Sequence, residues 1–329
     1  ILALTFGYTM IVAESALGRM TRKSPVGAFR SFAKGKKVGW LSFGGWINAI
    51  IPVLIVPYYS VIGGWVVKYL FEYIRGNGSK LAEDGYFSGF ISNGGATEIC
   101  FVIFCMFTLV IIYAGVQNGI ERVSKIMMPI LVVLSVIIAI YSVTRPGAIE
   151  GVKYFLVPNV KNFSWMTVVA AMGQMFYSLS IAMGILVTFG SYMRKDTSIE
   201  DSTRNVEIFD TAIAMMAGLM IIPAVFAFSG GDPDTLQAGP SLMFITIPKV
   251  FANMGFGTAV GILFFVLVLF AAVTSSIALT ESAVSTFEDE LGWGRKKATV
   301  LTGVIMIALG TLSCLGYGPL DFVKIIGMQ

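Results

Sequence analysis

Stretches without a single charged side chain recur along this 329-residue chain, and they restrict its fold more than any other feature. A helix needs about 20 predominantly apolar residues to cross the hydrocarbon core of a bilayer. Residues 38–67, 99–117, 126–143, 164–193, 211–231, 250–280 and 298–320 are free of charge and near or beyond that length. With 1–18, which carries Glu14, they predict eight membrane spans. Composition excludes a soluble globule: 13% of the residues are charged, against about 25% in soluble domains.

The first residue is Ile1, which opens directly into a span without the charged leader of a signal peptide. Residues 322–329 begin another apolar run and stop short of a span. The expectation is a chain cut at both ends. Histidine is absent, which excludes imidazole-based proton relays and metal sites in this portion. Cys100, Cys105 and Cys314 form no Cys-x-x-Cys pair and read as buried free thiols. The net charge of +4 reflects loop asymmetry rather than affinity for nucleic acid, and no nucleic-acid partner is expected.

The loop at 19–37 carries Arg19, Arg22, Lys23, Arg30, Lys34, Lys36 and Lys37 and no acid, which marks it as cytoplasmic. Alternation of the spans then places 121–125, 194–204 and 295–297 inside and Asp232 and Asp234 outside. The loop at 145–161 falls outside although it is mildly basic. Residues 239–254 mix apolar residues with two prolines, which fits either a re-entrant or surface-packed helical hairpin or a connecting loop.

Small or polar residues at membrane depth are costly and mark function. In Tyr177-Ser-Leu-Ser-Ile-Ala-Met-Gly184 they crowd the middle of one span. Either the helix breaks there, exposing backbone groups suited to a carboxylate and a cation, or the small residues form a packing surface. Ala271, Thr274 and Ser275 share one helix face, so a carbonyl and two hydroxyls converge as donors for a hard monovalent cation. The competing reading bonds the hydroxyls back to the preceding turn. Asp210 heads the span 211–231, either as a helix cap or, if deeper, as a carboxylate needing a cation. Tyr58 and Tyr59 sit near mid-span after Pro57, facing a cavity or the membrane interface. Without histidine or paired acids at depth, and with no base beside the serines, an intramembrane enzyme is not supported.

The chain resembles the neurotransmitter:sodium symporter family, also called the sodium:neurotransmitter symporter family, and its bacterial amino-acid transporters in particular. Matching segments are Glu14-Ser-Ala-Leu-Gly-Arg19, Gly115-Val-Gln-Asn-Gly-Ile-Glu-Arg-Val-Ser-Lys-Ile-Met-Met-Pro129 and Pro146-Gly-Ala-Ile-Glu-Gly-Val-Lys153. They continue with Gly173-Gln-Met-Phe-Tyr-Ser-Leu-Ser180, Phe244-Ile-Thr-Ile-Pro-Lys-Val-Phe251 and Ala271-Ala-Val-Thr-Ser-Ser276. They occur in family order and cover nearly the whole chain.

The resemblance implies an all-α polytopic membrane protein with an inverted-repeat, leucine-transporter-like fold, in a single domain spanning 1–329. Residues 1–163 would be the remainder of a first repeat, helices two to five. Residues 164–329 would be the second, helices six to nine and the start of ten. Helix one, a large contributor of ligands, would be absent.

By the same resemblance one sodium site uses the Ala271 carbonyl with Thr274 and Ser275, and another uses Ser178 and Asp210. Asp210 supplies negative charge that chloride provides in animal members, so chloride would not be required; Ala214, one turn on, offers no second acid. The substrate pocket would comprise Ile55, Tyr59, Tyr177, Ser178, Ser180, Met183, Ser275 and Leu279, with the Tyr59 hydroxyl on the substrate carboxylate. It holds a neutral, hydrophobic or aromatic amino acid, and flexible Met183 accommodates bulk. Gly119 and Pro129 match the family's Gly-x9-Pro pattern and would let a helix start unwind for inward release. Glu14 either bonds backbone near the site or caps the first span. Asp321 would be an external gate acid.

Together these imply sodium-driven symport across the plasma membrane of a bacterium by alternating access, with no organic cofactor. Partners are the amino acid, sodium and the lipid bilayer; oligomeric state is undetermined. A proton-coupled transporter of the same fold, with Asp210 titrating, and a non-transporting amino-acid sensor are the alternatives.

Overall fold

The computed structural model describes residues 2–33, 40–159, 163–232, 236 and 239–318, all helices, turns and connections. Lys34, Lys36, Lys37, Asp234 and Asp321 lie outside them. Helix α1 (Tyr8–Thr21) continues a π-helical turn at Ala3–Gly7. Short α2 (Pro25–Ala33) leads to α3 (Leu41–Ile74), which runs unbroken through Pro52 and Pro57. Two short helices, α4 (Gly78–Leu81) and α5 (Tyr86–Ser92), precede α6 (Gly94–Tyr113). A π-helical turn at Val116–Glu121 opens α7 (Arg122–Val143), followed by α8 (Ala148–Leu156). Then come α9 (Trp165–Ser178), α10 (Ile185–Tyr192) and α11 (Ile199–Ser229). A third π turn, Leu242–Thr246, runs into α12 (Ile247–Ala252), and α13 (Gly257–Leu291) and α14 (Arg295–Gly316) complete the described chain.

Among the described residues six helices are long and apolar enough to cross a membrane: Leu41–Ile74, Gly94–Tyr113, Val116–Val143, Ile199–Ser229, Gly257–Leu291 and Arg295–Gly316. The other two predicted spans are α1, which carries Glu14 and Arg19, and 164–193, which divides into α9 and α10. Several boundaries move outward because charged side chains are accommodated inside helices. α13 runs past Thr280 through Glu281, Glu288, Asp289 and Glu290. It can do so because Glu281 is salt-bridged to Arg295 at 2.6 Å, Glu290 to Arg30 at 2.7 Å, and Asp289 accepts the Ser24 backbone N–H.

The two longest helices, α3 and α13, pack along each other at the centre, with α6, α7 and α14 around them. Lipid tails are as apolar as the side chains, so association between helices depends on close packing. Glycines supply it here: a Cβ on Gly64 would lie 2.6 Å from the Phe101 amide nitrogen, and one on Gly18 would lie 1.9 Å from the Val187 carbonyl oxygen. Large apolar side chains such as Leu54, Ile99 and Val110 point outward, each more than 60% exposed, as a lipid-facing surface requires.

Toward the α4–α5 end of α3, Trp65, Tyr69, Phe87, Phe244 and Phe265 form a continuous ring cluster, with Phe87 stacked on Phe244 at 5.3 Å. Such ring pairs add about 0.5–1.5 kcal/mol each beyond burial. The Tyr69 hydroxyl donates to the Phe244 carbonyl at 2.8 Å. The segment with two prolines is therefore one packed helix, Leu242–Ala252, among the described residues, rather than a hairpin.

Candidate functional site: a cavity beside a broken helix

The span 164–193 breaks between Ser178 and Ile185. Ser180 and Ala182 adopt positive φ, 56° and 60°, a conformation that costs non-glycine residues roughly 1–2 kcal/mol each. Three hydrogen bonds hold it. Ile181 donates its N–H to the Phe176 carbonyl at 2.9 Å, Ala182 to Glu14 Oε1 at 2.8 Å, and Gly184 to Asn48 Oδ1 at 3.2 Å. Glu14 thus bonds the backbone of the break rather than capping its own helix. Gly184, at φ 70°, has no room for a side chain: a Cβ would lie 2.8 Å from Pro25 Cγ and 2.9 Å from the Asn48 carbonyl oxygen.

Helix α10 is pressed onto α1 by small residues on both sides. Gly18 meets Val187, and a Cβ on Gly190 would lie 2.5 Å from the Ser15 carbonyl oxygen. The break therefore has a fixed second half, while the negative end of the α9 dipole and the positive end of the α10 dipole open into the same space.

That space is a cavity of about 470 Å³, within the roughly 300–1,000 Å³ typical of small-molecule sites. One wall comes from α3, through Ile55 and Tyr59. The break and its flanks contribute Tyr177, Ser178, Ser180 and Met183, and α13 contributes Thr274, Ser275 and Leu279. Asp210 closes the side formed by α11. The structure thus brings to one cavity residues separated by more than 200 positions. Tyr59 and Ser275 both line it, whereas Tyr58 is 45% exposed and does not. Gln174, Ile185 and Ala278 also line the wall and were not singled out from sequence. Gln174 was findable: it is a polar residue at membrane depth, three and four positions before Tyr177 and Ser178, and so on their helix face.

Asp210 is not a helix cap. Helix α11 begins at Ile199, capped by the Ser198 hydroxyl accepting from the Asp201 amide at 3.2 Å, so Asp210 lies well inside the helix. Its carboxylate accepts a bifurcated hydrogen bond from the Ser178 hydroxyl, 2.9 and 3.1 Å to its two oxygens. The Thr274 hydroxyl donates to the carbonyls of Phe270 and Ala271, each at 3.0 Å. This is the back-bonding to the preceding turn of the competing sequence reading, and it leaves the Ala271 carbonyl and Thr274 hydroxyl oxygens further lone pairs. Around the cavity lie the Asp210 carboxylate and hydroxyls that include those of Ser178, Thr274 and Ser275, oxygens of the kind hard cations prefer, whereas Ala271 is not part of its lining; no cluster of three or more His, Cys, Asp or Glu that could hold a metal occurs among the described residues.

Gly119 and Pro129 lie away from the cavity, at the start of α7. Gly119 is buried in the π-helical turn, where a Cβ would lie 2.0 Å from the Ile111 carbonyl oxygen, and Pro129 sits within the helix. The helix start is already irregular there, and proline removes one further backbone donor.

A helix broken within a bundle of long apolar helices, beside a polar-lined cavity, is the arrangement that secondary transporters use for their binding sites. The chain belongs to the sodium:neurotransmitter symporter family, whose model matches residues 86–327. It is 35% identical over 327 residues to the sodium-dependent transporter YhdH of Bacillus subtilis, covering 98% of this chain and 71% of that protein. A sodium-dependent transporter of Haemophilus influenzae is 32% identical over 320 residues, covering 94% of this chain and 69% of its own length. The solved structure of MhsT in complex with L-phenylalanine superposes with a TM-score of 0.86 at 37% identity, covering all of this chain and 74% of that one. The protein is thus a multi-pass, sodium-dependent transporter with the inverted-repeat, leucine-transporter-like fold, and not an enzyme.

Proposed function

We propose that the protein carries a neutral, hydrophobic or aromatic amino acid across the plasma membrane together with sodium, without a requirement for chloride. The observation that carries this reading is the single cavity uniting Tyr59, the break at Ser178–Met183, Asp210 and the Thr274–Ser275 face. The substrate's carboxylate lies toward the Tyr59 hydroxyl, and its side chain lies among Ile55, Tyr177, Met183 and Leu279. No lysine, arginine or glutamate lines the cavity, so a charged substrate side chain has no partner. The cocrystallised phenylalanine of MhsT supports the aromatic end of the range.

One sodium is held by Ser178 and Asp210, a second by the Ala271 carbonyl, Thr274 and Ser275. A carboxylate in the first set supplies fixed negative charge, and that removes the need for an anion from solution. Residues 1–163 and 164–329 act as parts of two opposed repeats whose relative rocking alternates access. Unwinding at Gly119–Pro129 releases ions inward, toward the side where 19–37 lies.

The test is equilibrium binding of labelled phenylalanine, tryptophan, leucine, lysine and glutamate to the purified protein in sodium chloride, sodium gluconate and choline chloride. Binding of the first three in both sodium salts, none in choline and none of lysine or glutamate is the expected result. Dependence on chloride removes the role given to Asp210; binding in choline removes sodium from the site.

A further inference from the structure

A second cavity, of about 600 Å³, lies far from the substrate site, at the end of α1 that the distribution of basic residues assigns to the cytoplasm. Its lining is Ala16, Arg19, Met20, Arg22, Lys195 and Ile199. Three cations share a groove whose floor is apolar, and none of them has a carboxylate partner within salt-bridge distance among the described residues. On this side Arg30, Lys125, Arg194 and Arg204 each pair with an acid at 2.7–3.1 Å, whereas Lys23, Arg122, Lys296 and Lys297, like the groove cations, have no salt bridge among the described residues but do not converge on one groove with them. The neighbouring Asp196 is taken by Arg194, and Asp201 by Arg204; Glu200 is exposed beside Ile199 and does not line the groove.

The two arginines are anchored through backbone alone. Arg19 donates Nη1 to the Thr197 carbonyl, and Arg22 donates Nη1 to the carbonyls of Ser191, at 3.0 Å, and Met193. Each guanidinium presents five N–H donors, so most remain free and are held in place. The Lys195 side chain is exposed, with no hydrogen bond or ion pair among the described residues, and Met20 is 66% exposed in the same groove. Charge without counter-charge, above an open apolar floor at a bilayer surface, fits one kind of ligand.

We propose that this groove binds an anionic phospholipid, its phosphate held by Arg19, Arg22 and Lys195 and an acyl chain running over Ala16, Met20 and Ile199. Basic pockets between membrane helices on the cytoplasmic side recognise anionic headgroups in this way. A free inorganic phosphate would satisfy the cations and leave the exposed Met20 and the half-buried Ile199 without a partner, so the lipid is the better match. The same arginines tie down the end of α10 and the turn before α11, and the bound lipid therefore braces the fixed half of the broken helix.

Native mass spectrometry of the full-length protein, titrated with phosphatidylglycerol or phosphatidylcholine, tests this. Phosphatidylglycerol should bind more tightly than phosphatidylcholine, and Lys195→Gln should weaken it about fivefold, the loss of about 1 kcal/mol for one basic residue near an anionic surface. Lys80→Gln, an exposed lysine on the opposite side, should change nothing, and millimolar inorganic phosphate should not compete. Equal binding of the two lipids, equal affinity in Lys195→Gln and the wild type, an equal loss in Lys80→Gln, or displacement by phosphate would each overturn the proposal.

Discussion

Removal of Arg295 should destabilise the protein more than removal of any other basic residue in an ion pair. Its guanidinium donates to both oxygens of Glu281, at 3.0 and 2.6 Å, and through Nε to the Ile112 carbonyl at 2.9 Å. The Glu281 side chain has no exposed surface, and its only other partner among the described residues is the Tyr192 hydroxyl at 2.7 Å. Arg295→Gln leaves a buried carboxylate with one neutral donor, and breaking a buried pair from one side costs about 3–5 kcal/mol. At about 2–4 °C per kcal/mol the melting midpoint should fall by on the order of 10 °C. The internal comparison is Arg30→Gln: Arg30 pairs with Glu290, but its side chain is 56% exposed, and exposed pairs contribute roughly 0–1 kcal/mol. Replacing both buried partners, Glu281→Leu with Arg295→Met, should recover most of the loss, because the desolvated charge is gone. Melting by intrinsic fluorescence in detergent measures all four proteins. Equal, small shifts for Arg295→Gln and Arg30→Gln would refute the reasoning.

Three further outcomes follow from other contacts. Gly18→Ala should destabilise by about 1–3 kcal/mol through overpacking, because its Cβ meets the Val187 carbonyl, whereas Gly294→Ala, in open space, should not; paired melting curves compare them. Glu14→Leu strips the Ala182 amide of its acceptor at 2.8 Å, which costs about 1–3 kcal/mol for an orphaned buried donor. Substrate affinity should fall with it, whereas Glu14→Gln, which keeps an acceptor oxygen, should retain most of both. The Lys249 ammonium holds the exposed Asp84 carboxyl below its ordinary ionisation range. A lowered value stabilises the fold above the unfolded carboxylate range and ceases to as pH falls through the lowered value. The small midpoint difference between wild type and Asp84→Asn should therefore be present at neutral pH and vanish in acid.

Membrane architecture was legible in the sequence because uninterrupted apolar length has one main explanation. Its inaccuracies have a common cause: a search for charge-free segments stops at the first ionised side chain, while helices continue wherever that charge is paired. Glu281, Glu288 and Glu290 hid the last turns of α13, although Gly292, in the left-handed conformation at its C-cap, marked the end. Glu200, Asp201, Arg204 and Glu207 hid the first turns of α11, which made Asp210 look like a cap; Ser198 three residues before Asp201 was the missed start signal. The break at Ser178–Gly184 showed as a cluster of small and hydroxylated residues, but composition fits a packing surface equally well. Only the contacts to Glu14 and Asn48, more than 130 positions away, separate the two readings. The groove at Arg19, Arg22 and Lys195 was invisible for the same reason: sequence shows cations in two loops, not that they share a floor.

Symport requires that sodium occupy the donor sets around the cavity and that its gradient drive the amino acid. Uptake of labelled phenylalanine into proteoliposomes containing the full-length protein, under an inward sodium gradient and at constant pH, measures it most directly. Accumulation in sodium, its loss in choline, and its loss in Asp210→Ala and Thr274→Ala are the predicted results. Accumulation that persists in choline and follows an imposed pH gradient would contradict the claim and assign the driving ion to a proton at Asp210.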